Sequence, residues 1–138
     1  MTIAISTTVR TTFDEAVRRT RDALSEQGFG VLTEIDVTST LKNKLDEDME
    51  DYLILGACNP PLAHKALGVD RQIGLLLPCN VVVRADPDQP ESIHVEAMDP
   101  QIMVTVANRD GLQAVADDAA TRLRAAIDSL TVTAAAPR

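Results

Sequence analysis

Residues 51–99 read DYLILGACNPPLAHKALGVDRQIGLLLPCNVVVRADPDQPESIHVEAMD. Both cysteines of the chain lie here, each inside a Cys/Asn/Pro cluster: Cys58-Asn59-Pro60-Pro61 and Pro78-Cys79-Asn80. Tyr52 to Cys58 is apolar on both faces, the pattern of an interior strand covered on both sides. Helices can cover one side, and a second subunit is the economical cover for the other. Asn59 suits an N-cap, and Pro60 falls at the first helical position, where a missing N–H costs nothing. The spacing predicts a helix over 60–67 that turns Leu62, Ala63, Ala66 and Leu67 inward and stops at Gly68. Leu75 to Asp86 then reads as a long strand broken by Pro78. Proline cannot donate to a ladder, which places that strand at an edge or a bulge. Asp86-Pro87-Asp88-Gln89-Pro90 is a turn. Ser92 to Met98 returns as a strand, with Ile93, Val95 and Ala97 on one face and His94, Glu96 and Met98 on the other.

Upstream, Ile3 to Val9 alternates as a first strand with one wet side. Thr12 and Glu15 stand at capping-box spacing, and Phe13, Val17, Thr20 and Leu24 form the inner stripe of a helix. On its outer side Asp14 and Arg18 are spaced to pair. Gly28 fits the left-handed position that ends it. Val31 to Val37 alternates as a second strand, with Val31, Thr33, Ile35 and Val37 opposed to Leu32, Glu34 and Asp36. A short helix capped by Thr38 or Ser39 follows, carrying Leu41 and Leu45 inward, and Asp46-Glu47-Asp48 reads as a solvated turn, with a cation site as the minor reading. Downstream, Asp99-Pro100 opens an irregular link or short helical turn through Met103. Asp110 caps the last helix, with Gln113 in the capping-box position. Leu112, Ala116, Ala119, Leu123, Ile127 and Leu130 make its apolar stripe.

The order of elements is β-α-β-(α)-β-α-β-β-α. It specifies an α+β fold with helices packed on one face of a mostly antiparallel sheet. The 138 residues make one domain over 1–130 and a flexible C-terminal tail over 131–138, where an alanine run and Pro137 should fray. A net charge of −8 and an aromatic content of 2% leave little for gripping phosphates or stacking bases, so nucleic acid is not an expected partner. No apolar run approaches the roughly 20 residues that span a bilayer. The N-terminus lacks the basic start and apolar core of a secretory signal. A cytoplasmic protein with reduced thiols is the expectation.

Chemistry concentrates at the two cysteine clusters. Cys58 ends a strand just before a helix N-terminus, and Cys79 follows the strand-breaking proline. They suit three roles: small buried hydrophobes, a thiol redox or ligand pair, or a soft-metal (copper or zinc) site completed by His64. Asn59 and Asn80 either cap backbone groups or turn their amides to a polar ligand. Glu34, Asp36, His94 and Glu96 would gather three carboxylates and an imidazole if their sheet faces coincide, and otherwise form the wet side of a sheet. The chain lacks a nucleophile elbow, a phosphate-binding glycine loop and an H-E-x-x-H motif. Binding is therefore expected over catalysis.

The runs LILGACNPPLAHKAL and LLLPCNVVV, followed by Asp99-Pro100, resemble the bacterial and archaeal domain-of-unknown-function family 302, whose structural relatives are called TT1751-like. GFGVLTEIDVTSTLKNKL resembles that family's Gly-rich entry to its second strand. The resemblance spans roughly Phe13 to Leu130. It implies a compact α+β domain with a topology like that of the TATA-binding protein and a tendency to form homodimers, and it brings no settled activity. The positions it marks are Cys58, Asn59, Pro60, Pro78, Cys79 and Asn80. Together these expectations describe a small cytoplasmic, homodimeric binding or accessory domain. Its small-ligand pocket would lie among Cys58, Asn59, Pro60, Cys79 and Asn80, with thiol redox or soft-metal chemistry at Cys58 and Cys79 as the alternative.

Overall fold

A computed structural model describes residues 3–135. Five strands form one antiparallel sheet in the order β1-β5-β4-β3-β2. The chain enters at one edge with β1 (Ala4–Arg10) and crosses over the sheet in α1 (Phe13–Glu26) to β2 (Gly30–Asp36) at the far edge. It then returns strand by strand through β3 (Tyr52–Cys58), β4 (Cys79–Ala85) and β5 (Ser92–Met98), which closes against β1. The expected α+β architecture is the one observed.

Local chemistry accounts for the first helix. Thr12 Oγ1 accepts from the Glu15 N–H at 3.1 Å, and Gly28 takes φ +86° just after the helix. The inner stripe is buried at Ala16, Thr20, Ala23 and Leu24, and the Thr20 hydroxyl is satisfied by the Ala16 carbonyl. Arg18 pairs with Glu15 and Asp22, not with the expected Asp14. Together with α5 (Leu112–Ala135), α1 covers one sheet face. Leu55, Val81, Val83, Ile93 and Val95 from the strands meet Leu24, Leu123 and Ile127 from the helices in the main core.

Several expectations are corrected. Leu75 to Asp86 is not one strand. Residues 71–76 wind as a 3-10 helix with Leu75 86% exposed, and the strand starts only at Cys79, after the cis Leu77–Pro78 bond. β4 is interior, and Pro78 is tolerated because it stands before the first ladder residue. The alternation of β2 breaks at a bulge between Val31 and Thr33, which sends Val31 to the helix-covered face and Thr33 and Ile35 to the other. The cap of α2 (Val37–Leu45) is Asp36, whose Oδ1 accepts from the Ser39 N–H, because Thr38 is engaged with Glu50 and Tyr52. The last helix continues past Leu130 to Ala135, and Gln113 bonds to Gln101 and Asp117 instead of closing a capping box. Residues 136–138 of the expected tail lie outside the described residues.

A second, smaller core lies at the end of the sheet. It joins Leu62 and Ala66 of α3 (Pro60–Val69), Ile73 of the 3-10 turn, Met103 of α4 (Gln101–Ala107), and Leu112, Val115 and Ala119 of α5. Gly56 is required where β3 approaches this end. A Cβ there would stand 2.8 Å from Pro78 Cγ and would overlap the Thr33 hydroxyl.

The acid behaviour of α1 follows from its ion pairs. Hydrogen bonds from Arg18 and Arg19 hold the Glu15 carboxyl down at about 2, from an ordinary 4.5. A carboxyl depressed by folding adds stability above its unfolded value, and that contribution is lost as pH falls through the folded one. An NMR titration should therefore give Glu15 a midpoint near 2. Replacing Arg18 and Arg19 by Gln should return it towards 4.5 and remove this share of the acid sensitivity between those values.

Candidate functional site

The two cysteine clusters meet at the seam between the cores. β3 leaves the sheet at Cys58. Asn59 then turns the chain into α3, its Oδ1 accepting from the Leu62 N–H at 3.2 Å while its carbonyl accepts from the Ala63 N–H at 2.9 Å. Pro60 and Pro61 occupy the first two helical positions and carry no N–H. The first turn of α3 is thus left without a spare backbone donor.

α3 does not seat flush on the sheet. A cavity of about 30 Å³ remains, bordered by Ala57, Cys58, Asn59 and Cys79 at the strand ends and by Phe29 beside them. Leu62, Ala63, Ala66, Leu77, Pro100, Met103, Val115, Ala116 and Ala119 complete its wall. Among the described residues no charged side chain borders it. Cys58, Asn59 and Cys79 are therefore brought to one place. Pro60 serves as the first helical residue and does not border the cavity, and Asn80 is exposed on the opposite sheet face beside Tyr52 and Val82.

The cysteines are not a pair. Ala57, not Cys58, stands opposite Cys79 across the β3–β4 ladder, so Cys58 and Cys79 project to opposite sides of the pleat although both border the cavity, and both are free thiols. Nor does His64 join them: among the described residues no three His, Cys, Asp or Glu side chains gather as a metal site requires. Cys79 is 7% exposed, and burial pushes its thiol up to about 11, with a smaller push from Cys58. It is a neutral thiol near pH 7.

The acidic strand residues also separate. Glu34 stands opposite Leu55 on the helix-covered face and pairs with Arg21, and Asp36 is spent on the α2 cap. His94 and Glu96 share the uncovered face as expected, where Glu96 holds Arg84 at 2.8 Å. Sequence reasoning missed the partners of His94. Thr8 Oγ1 lies 2.9 Å from Nδ1, and Asp86 Oδ1 lies 3.0 Å from Nε2. Asp86 is held below the usual carboxylate range, first by His94 and then by the Asp88 N–H. The turn position of Asp86 was legible, but the β1–β5 register that puts Thr8 opposite His94 was not.

The family model described as Domain of unknown function DUF302 matches residues 5–130. The chain belongs to this family. A solved structure is similar to it, that of an uncharacterized conserved DUF302 protein from Bacillus stearothermophilus. The two are 29% identical, the alignment covers 93% of this chain and 98% of that one, and the TM-score is 0.84. None of the curated proteins matches the chain. The DUF302 assignment agrees with the resemblance carried by the two Cys-Asn clusters, and the seam where those clusters meet lies inside the matched residues.

The DUF302 chain should show unequal thiols. Iodoacetamide in native buffer near neutral pH should label the half-buried Cys58 and spare Cys79 until the protein is unfolded. Peptide mass spectrometry checks this, and rapid native labelling of Cys79 would contradict its placement.

Proposed function

We propose that this DUF302 protein is a binding domain, not an enzyme, and that it takes a small apolar group into the cavity between β3, α3 and α5. One observation carries the reading: a hollow at a junction of elements, walled by apolar side chains and bordered by a few uncharged polar ones. The composition is that of a ligand site, and the volume of about 30 Å³ limits the occupant to a methyl-sized group or a single gas atom. Thiol redox chemistry would rest on Cys58 alone, because Cys79 is a buried, neutral thiol that projects from the opposite side of the pleat. Two free thiols are at home in the reducing cytoplasm, where we place the protein.

Xenon tests the cavity without assuming a ligand. Dissolved under pressure, it should shift the methyl resonances of Met103 and Ala119 saturably. Ala63→Leu, which fills the hollow from the half-buried side of α3, should abolish the effect. Linear, non-saturating shifts in the parent protein would refute the reading.

The working unit we infer is a homodimer. Ile35, Ile54 and Val82 stand side by side across the sheet face that α1 and α5 leave uncovered, flanked by Tyr52. The same face carries Arg84 with Glu96 and His94 with Asp86, both signs of charge, so a two-fold copy can meet unlike with unlike. Sedimentation equilibrium should give twice the chain mass, and Ile54→Glu should give the monomer while retaining the far-ultraviolet circular dichroism of the fold. A monomer at all concentrations would remove the dimer and leave the cavity reading intact.

A further inference from the structure

The sheet face that the helices leave uncovered carries a depression of about 260 Å³. It is bordered by Tyr52 of β3, Asn80 and Val82 of β4, Glu96 and Met98 of β5, and Ile3 just before β1. The ladders put short side chains among long ones. Val82 stands opposite Glu96, and Ala4 stands opposite Met98. The dip lies where Ala4 and Val82 fall short of Ile3, Tyr52 and Met98.

The polar side chains at its border differ in what they can offer. Both carboxylate oxygens of Glu96 accept from the Arg84 guanidinium, at 2.8 and 3.3 Å, so its charge is compensated within the chain. Asn80 is exposed, and among the described residues no hydrogen bond engages its side chain. Its amide therefore presents a donor and an acceptor side by side. The backbone beneath it is fixed, because β4 is paired on both sides and Asn80 stands opposite Gly56.

Size and surface narrow the choice further. An apolar cavity that binds benzene has about 150 Å³. The depression, at about 260 Å³, has room for a fused pair of rings. The Tyr52 ring and the Met98 thioether both make favourable contacts with aromatic systems.

We propose that this depression is a ligand site separate from the hollow, and that it takes a neutral, planar heteroaromatic molecule whose edge carries a hydrogen-bond donor beside an acceptor, read by the Asn80 amide. An amino-substituted purine has such an edge, and paired bonds from an asparagine amide suit it. Anionic ligands are disfavoured, since among the described residues no cationic side chain borders the site and the chain carries a net charge of −8. The site does not depend on the occupancy of the hollow.

9-Methyladenine and 9-methylpurine test this. They share one ring system, and only the first carries an amino donor beside the ring-nitrogen acceptors. 9-Methyladenine should shift the Asn80 side-chain amide and Met98 methyl resonances saturably. 9-Methylpurine should bind about fivefold more weakly, the worth of one net neutral hydrogen bond. Asn80→Ala removes an exposed side chain that makes no bond of its own. It should keep the far-ultraviolet circular dichroism and bring the two affinities together. The titrations are run on the parent protein and on Ile54→Glu, because a second copy docked on this face would meet the depression at Tyr52 and Val82. Saturable shifts at Asn80 and Met98 in either protein, with the fivefold preference, uphold the site. Equal affinities for the two probes while Asn80 is present would overturn the donor–acceptor reading. No saturable shift in either protein, or shifts confined to Met103 and Ala119 beside the hollow, would remove the site and leave the readings of hollow and dimer as they stand.

Discussion

The bond from the Leu62 N–H to Asn59 Oδ1 is the point on which the architecture turns. A central strand must leave the sheet without exposing unpaired backbone, and a helix must begin within one residue of it. Asn59 does both, accepting with its side chain and its carbonyl while two prolines remove the donors that would otherwise need partners. This locks α3 at the end of the sheet, where α4 and the first half of α5 gather around Leu62 and Ala66 into a second core. One long helix, α5, belongs to both cores, with Leu123 and Ile127 in the first and Leu112 and Val115 in the second. The hollow between Ala57, Cys79 and α3 is the place where these two packings fail to merge.

Such a defect has a cost. Buried side chains lose dispersion contacts across a gap, and a well-packed core normally closes it. The wall here is built from small residues on the helices, Ala63, Ala66, Ala116 and Ala119, with flexible Met103 opposite. Small side chains hold the elements close while leaving the hollow open.

The sheet contributes a different kind of asymmetry. Its helix-covered face is filled by Leu53, Leu55, Val81, Val83, Ile93 and Val95, whereas its other face mixes Ile54 and Val82 with Arg84, His94 and Glu96. The charged groups there are partnered within the chain, Arg84 by Glu96 and His94 by Asp86 and Thr8, so the face is polar without being a free charge field. Gly56 lies in this face with Thr33 and Pro78 packed over it, so the β2 bulge and the entry to β4 are adjusted to the same bare position.

Much of this was legible along the chain. Alternation at Ser92–Met98, two-sided apolarity at Tyr52–Cys58, the Thr12 and Asn59 caps and the Gly28 stop are local properties: each depends on residues within one or two turns, and each stands where the sequence put it. The Cys-Asn motifs likewise sufficed for the family. What the sequence could not determine was anything set by register or by competition between distant partners. Leu75–Leu77 has strand composition but ends up in and beside a 3-10 turn, because packing Ile73 into the second core outweighs propensity. The β2 bulge put Val31 and Thr33 on opposite faces, and a one-residue offset across β3 and β4 put Ala57, not Cys58, opposite Cys79. Side chains change face with every residue of a strand, so a single step of register decides whether two groups share a site or stand on opposite sides of the sheet. That step is chosen by the packing of the whole domain, and only the tertiary structure records it.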